Sequence, residues 1–155
     1  MIYFAYGSNL DPGQMFERCP SHSTIGIARL PNHRLTFPRY SPVRRCATAG
    51  VEACEGENVW GVLYRIGEDD IPILHFHEGY DPYGPEEENR HVLGKVQVIR
   101  PGARVAQTAE AYLAVADGTD ALPSRAYMQL LIEGAKFHGL PRSWITWLEV
   151  VRAVG

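Results

Sequence analysis

The chain begins with an apolar strand that a polar tight turn stops within one step: Met1-Ile2-Tyr3-Phe4-Ala5-Tyr6-Gly7-Ser8-Asn9-Leu10. Aromatic and aliphatic residues fill the first six positions, a composition that suits a buried β-strand. Gly7 permits close backbone approach, and Ser8 and Asn9 hydrogen-bond readily to nearby main chain. Asp11-Pro12 then predicts a short helix, with Asp11 as N-cap and Pro12 at the first helical position. A strand–Gly-Ser-Asn–helix turn leaves backbone N–H groups converging on one point, a ready anion cradle. The plainer reading is an ordinary strand end.

At 155 residues, 45% hydrophobic and 21% charged, the chain reads as one soluble globular domain over 1–155. A net charge of −3 gives no electrostatic pull toward nucleic acid or acidic membrane. Cys19, Cys46 and Cys54 are odd in number and lack metal-ligand spacing, so they read as packing thiols in a reducing, cytoplasmic setting. The apolar N-terminus is too short for a signal peptide, and no run approaches a membrane span.

The first two-thirds of the chain carry β signals. Thr24–Arg29 and Arg34–Phe37 predict short strands joined by a Pro31-Asn32 turn, with a loop over Phe37–Arg45. Thr48–Ala53 and Val59–Ile66 predict a hairpin around Glu55–Asn58. The nearly all-apolar Val59–Tyr64 run belongs in the middle of a sheet. His91–Ile99 and Thr108–Val115 add two more strands. Helices follow, the first from Ser124 to Gly139 with Tyr127, Leu130, Leu131 and Ala135 on one side. The second begins at Pro141 and repeats Trp144, Trp147, Leu148 and Val151. An exposed tryptophan among these would point to a partner. The expected class is α+β, a small mixed β-barrel with flanking helices.

Asp69–Gly79 predicts two turns of helix with Gly79 at C′. Ile71, Leu74, His75 and Glu78 then share a face, which puts Glu78 on the apolar stripe. There the helix dipole disfavours a carboxylate by roughly 0.3–1 kcal/mol. Burial and dipole together favour the protonated form, as a group that takes and gives a proton near neutrality requires. The alternative is a structural ion pair to Arg39 or Arg90. His75 and His77 point about 200° apart on a helix and cannot share a metal ion. No metal site is expected; His75 reads as a core or supporting residue and His77 as a surface one.

Taken together, YFAYGSNL (Tyr3–Leu10), VWGVLY (Val59–Tyr64), HEGY (His77–Tyr80) and PSRAYMQLLIEGAKFHGLP (Pro123–Pro141) closely resemble the γ-glutamylcyclotransferase family, in its order and at similar spacing. The resemblance implies a compact mixed barrel with flanking helices. It implies conversion of a γ-glutamyl amide to 5-oxoproline with release of the amine, using no metal or organic cofactor. Glu78 matches the family's catalytic glutamate, Tyr6, Gly7, Ser8, Asn9 and Leu10 its substrate-cradling turn, and Tyr127 a pocket tyrosine. Where many relatives carry a tyrosine early in the next strand, the spacing puts His91, in the pocket or facing solvent.

The residue types fit that chemistry in their own right. The substrate's α-amine is tethered to the γ-carbonyl it attacks, so orientation supplies much of the acceleration. One carboxylate can remove the ammonium proton and return it to the leaving amine. The Gly7–Asn9 amides can serve as donors to a developing oxyanion or a carboxylate. An arginine of the Phe37–Arg45 loop (Arg39, Arg44 or Arg45) is a candidate for holding a substrate carboxylate, or is simply solvated. A small γ-glutamyl molecule is the expected partner, acting on a monomer or homodimer. The alternative to an enzyme is a non-catalytic γ-glutamyl ligand-binding or regulatory module.

Overall fold

A computed structural model describes residues 1–155. Its sheet contains β1 (Ile2–Ala5), β2 (Ser23–Ser41), β3 (Cys46–Arg65), β4 (His91–Val98) and β5 (Gln107–Ala114). Around it lie α1 (Pro12–Arg18), α2 (Ile71–Glu78), α3 (Arg125–His138) and α4 (Arg142–Val150). The strand order is β2-β3-β1-β5-β4, with β1 antiparallel to β3 and parallel to β5. The α+β class holds, but the sheet is not closed into a barrel. β2 and β4 remain its edges, linked by one isolated bridge between Arg29 and Ile99 and by a 3.3 Å hydrogen bond from Arg100 to the Ile25 carbonyl. Strong twist brings the edges close, as expected for long antiparallel ribbons.

Two expected boundaries do not exist. Thr24–Arg29 and Arg34–Phe37 are parts of one strand, because Pro31-Asn32 forms a bulge rather than a turn: Asn32 adopts φ 57 and the register shifts there. Likewise Thr48–Ala53 and Val59–Ile66 do not pair with each other. Both belong to β3 and pair with β2, and the Glu55–Asn58 stretch bulges where the Gly56 amide donates to Asn32 Oδ1 at 3.0 Å. The expected loop shrinks to the turn after Ser41. Bulges and turns share the same residue types, so composition alone does not separate them.

Val59–Tyr64 is central as expected, lying between β2 and β1 with Val59, Val62, Leu63 and Tyr64 fully buried. Buried side chains of the sheet and of α1–α4 form one hydrophobic cluster. Helix α3 starts where Ser124 Oγ accepts from the Tyr127 amide at 3.0 Å and ends at Gly139, as its sequence predicts. Gly134 of α3 presses on the turn after β1: a Cβ there would lie 2.5 Å from the Leu10 carbonyl oxygen. On α4, Trp147 is partly exposed and stacks on the buried Trp144 with ring centres 5.0 Å apart. No helix is long and apolar enough to cross a membrane.

Candidate active site

Glu78 is the last residue of α2, and Gly79 closes the helix in the left-handed conformation at φ 66. Leu74 on the same face is fully buried and anchors the helix, which leaves the Glu78 side chain only 14% exposed. One carboxylate oxygen, Oε1, accepts from Asn9 Nδ2 at 2.9 Å and has Arg18 Nη1 at 3.5 Å. The other, Oε2, faces His91 Nδ1 at 3.9 Å. Arg18, rather than Arg39 or Arg90, is thus the ionic partner. Arg39 donates instead to the Val115 carbonyl at 3.2 Å, and Arg90 lies over Gly79.

Asn9 joins the first turn to α2. Residues Ser8–Leu10 form a single 3-10 turn, and Asp11 caps α1 by accepting from the Gln14 amide at 2.9 Å, as the sequence predicts. This capping sets α1 so that Gln14 and Arg18, one helical turn apart, reach back to Asn9 Oδ1 at 2.9 and 3.0 Å. Asn9 Nδ2 donates to Tyr3 Oη and Glu78 Oε1, both at 2.9 Å. The buried carboxamide therefore uses both N–H groups and both lone pairs of its oxygen, which fixes its orientation. From behind, Tyr64 Oη donates to the Asn9 carbonyl at 2.8 Å, and His138 Nε2 donates to that of Leu10 at 3.1 Å. None of the turn, loop or side-chain hydrogen bonds uses the Gly7, Ser8 or Asn9 amide.

A cavity opens between this turn and Glu78. Tyr6, Gly7, Ser8, Asn9, Glu78, His91 and Tyr127 all line it. Leu10 does not: it is fully buried beneath the turn and packs against α3. Tyr127 Oη accepts from the Ala49 amide at 2.9 Å, and Arg44 lies over its ring at 5.2 Å. Arg44 also donates to Gln14 Oε1 at 2.7 Å and to Ser8 Oγ at 3.3 Å. Arg39 lines the cavity as well, whereas Arg45 is not part of its lining. His75 supports the wall through a 2.6 Å bond between Nδ1 and Tyr112 Oη, and the exposed His77 sits at the rim.

The sequence reading did not place Tyr3, Arg18 or Tyr112 in the site, and it named Arg90 only as an ion-pair partner for Glu78; all four line the cavity. Arg18 carried a usable signal, its spacing from Gln14 on the helix that leaves the turn. Tyr3 and Tyr112 had none, since strand tyrosines are ordinarily packing residues.

Glu78 is the sole carboxylate of the lining, facing the guanidinium groups of Arg18, Arg39, Arg44 and Arg90. The cavity is therefore cationic and suited to a ligand bearing carboxylate. Burial, with the nearby Glu78 charge, pushes the Tyr3, Tyr6 and Tyr112 phenols above their ordinary range, and burial does the same for Tyr127. All of them remain neutral donors near pH 7. Tyr6 Oη donates to the Tyr112 carbonyl, but Tyr3 and Tyr127 each accept one bond and keep an O–H to give. Burial also lowers the Arg18 pKa, an effect opposed by Glu78.

A model of the AIG2-like family matches residues 58–148, a stretch that includes Glu78, His91 and Tyr127. The mouse protein named gamma-glutamylcyclotransferase is 30% identical over 155 residues, covering 97% of this chain and 78% of its own. The human protein of that name is 28% identical over the same length and coverage. A solved structure named gamma-glutamyl cyclotransferase superposes with a TM-score of 0.85 at 26% identity, covering 98% of this chain and 88% of that one. The matched stretch, the relatives and the shared fold place this chain in the AIG2-like family, among enzymes of the γ-glutamylcyclotransferase type.

Proposed function

We propose that the cavity takes a γ-glutamyl amide, either a γ-glutamyl amino acid or a γ-glutamylamine, and converts it to 5-oxoproline with release of the amine. The observation that carries this reading is the 2.9 Å bond from Asn9 to Glu78, which sets the cradle turn and the lone carboxylate face to face in one cavity. The names of the relatives supply the reaction type.

In this reading Glu78 takes a proton from the substrate's α-ammonium. The freed nitrogen attacks the γ-carbonyl carbon and closes a five-membered ring, a step favoured by its tether. Negative charge gathers on the carbonyl oxygen, where the Gly7–Asn9 amides and the free Tyr3 and Tyr127 hydroxyls are available donors. The bond from carbon to the departing nitrogen then breaks as that nitrogen takes the proton held by Glu78. The ring nitrogen gives its second surplus proton through the same carboxylate to the released amine, leaving a neutral lactam and an ammonium. Arg44 and Arg39 offer fork-shaped partners for a carboxylate. Every proton in the scheme begins on the substrate and ends on a product, so Glu78 is regenerated without a cofactor or metal ion.

Incubation with γ-glutamyl dipeptides and γ-glutamylamines, followed by 5-oxoproline measurement, tests the proposal. Glu78→Gln is expected to cut turnover by about 10²–10⁴-fold, the usual range for a general acid–base group. Full rate in that variant, or no 5-oxoproline from any γ-glutamyl compound, overturns it.

A further inference from the structure

His91 opens β4 and lies directly against the end of α2. Its Nδ1 is 2.9 Å from the Glu78 backbone carbonyl, an oxygen left without a partner by the end of the helix. A carbonyl oxygen only accepts, so Nδ1 carries the hydrogen of the neutral ring. Nε2 then bears a lone pair. It has no protein partner, it is not sealed from solvent, and the residue lines the cavity. The same contact leaves Glu78 asymmetric: Oε1 is engaged by Asn9 and Arg18, while Oε2 has only His91 for a neighbour, at 3.9 Å. Two acceptors, Oε2 of Glu78 and Nε2 of His91, thus belong to neighbouring side chains of one cavity lining, and no protein hydrogen bond uses either.

We infer that His91 is a substrate-positioning residue: its Nε2 lone pair and Glu78 Oε2 together hold the primary ammonium group of the ligand. This rests on the γ-glutamyl reading of the cavity and sharpens it. An ammonium carries three N–H donors, so one can go to Oε2, which takes the proton, while a second is held by Nε2 and fixes the nitrogen's direction of attack. A protonated His91 has no lone pair to offer and repels the ammonium. The charged groups that share the cavity lining with it are Glu78, Arg18, Arg39, Arg44 and Arg90.

The test compares a γ-glutamyl dipeptide with its desamino counterpart, the glutaryl amide of the same amino acid, in the wild type, His91→Asn and His91→Phe. Asparagine keeps an N–H for the Glu78 carbonyl but has nothing at the Nε2 position; phenylalanine lacks both. The wild-type preference for the amine-bearing compound is expected to fall about tenfold to a hundredfold in both variants, the worth of one hydrogen bond to a charged group. Affinity for the desamino compound should stay as it was. Nitrogen NMR of the imidazole should find the proton on Nδ1 in the neutral ring.

A proton on Nε2, or a preference lost only in His91→Phe, would reduce His91 to a cap for α2 and overturn the inference. So would an unchanged preference in both variants. If no γ-glutamyl compound yields 5-oxoproline, the reaction assigned to the cavity falls, while the binding ratio and the tautomer still decide the role of His91.

Discussion

The carboxamide of Asn9 donates to the carboxylate of Glu78 at 2.9 Å across 69 positions of sequence. Asn9 leaves no hydrogen-bonding capacity of its side chain unused, so it holds the carboxylate without competing for the free oxygen. That oxygen, Oε2, accepts no hydrogen bond within the protein and has the His91 ring at 3.9 Å. The pairing also makes the turn and the helix end one rigid unit, and the substitutions below act on that unit from different sides.

Replacing Asn9 by aspartate keeps its shape and reverses one interaction. The donor to Glu78 becomes an acceptor carrying like charge, in a place that is almost fully buried. Asn9→Asp is expected to destabilise the fold by on the order of 3 kcal/mol at neutral pH. Urea denaturation should find the deficit smaller in acid, where one of the paired carboxyls gains a proton and supplies a donor again. A variant as stable as the wild type at pH 7 would contradict the geometry at Asn9.

Gly134→Ala sets two effects against each other. Alanine favours a helix by about 1 kcal/mol over glycine. The added Cβ would, however, lie 2.5 Å from the Leu10 carbonyl oxygen, a backbone atom that cannot swing aside. Overpacking of this kind costs about 1–3 kcal/mol, so the net change is a loss of stability. Because α3 presses directly on the cradle turn, turnover should fall as well. Calorimetry and a rate measurement on the same preparation check both.

Acid should weaken the fold through its histidines. Burial lowers the proton affinity of His138 and of His75 relative to an ordinary histidine. Below about pH 6.5 the unfolded chain takes up protons that the folded chain does not yet bind. Stability is therefore complete above that pH and declines as the pH falls toward the lower folded values. His138→Gln keeps a donor for the Leu10 carbonyl and should flatten the decline between pH 7.5 and 5 in denaturation experiments.

Thiol reagents should distinguish the cysteines. Burial pushes the Cys19 thiol up to about 11, and both Cys19 and Cys46 are buried, whereas Cys54 is half-buried. Only the thiolate reacts. Native protein near neutral pH is expected to lose Cys54 first, and the other two should react on unfolding. Mass spectrometry of the labelled peptides reads this directly.

Local chemistry was legible wherever it was enforced by neighbours in the chain. Asp11 and Ser124 cap their helices, Gly79 and Gly139 end theirs, and Val59–Tyr64 is buried in the sheet, all as residue type and spacing require. Less legible were Pro31-Asn32 and Glu55–Asn58, which have turn composition but lie inside long strands. Their conformation is set by pairing with each other across the β2–β3 ribbon. Sheet closure was likewise misread, because it depends on accumulated twist along whole strands, which no short segment encodes.

By itself the sequence marked out three features that the cavity contains: a carboxylate on the inward face of a short helix, a Gly-Ser-Asn turn after a buried strand, and a tyrosine one turn into α3. The tertiary structure alone decided their relations. It brought Asn9 to Glu78, chose Arg18 over Arg39 and Arg90 as the ionic partner, sank Leu10 into the core and aimed Nδ1 of His91 at the end of α2. The physical reason is range. Capping, helical spacing and strand burial act over a few residues, whereas a hydrogen bond between elements needs the whole sheet in place before its partners can meet.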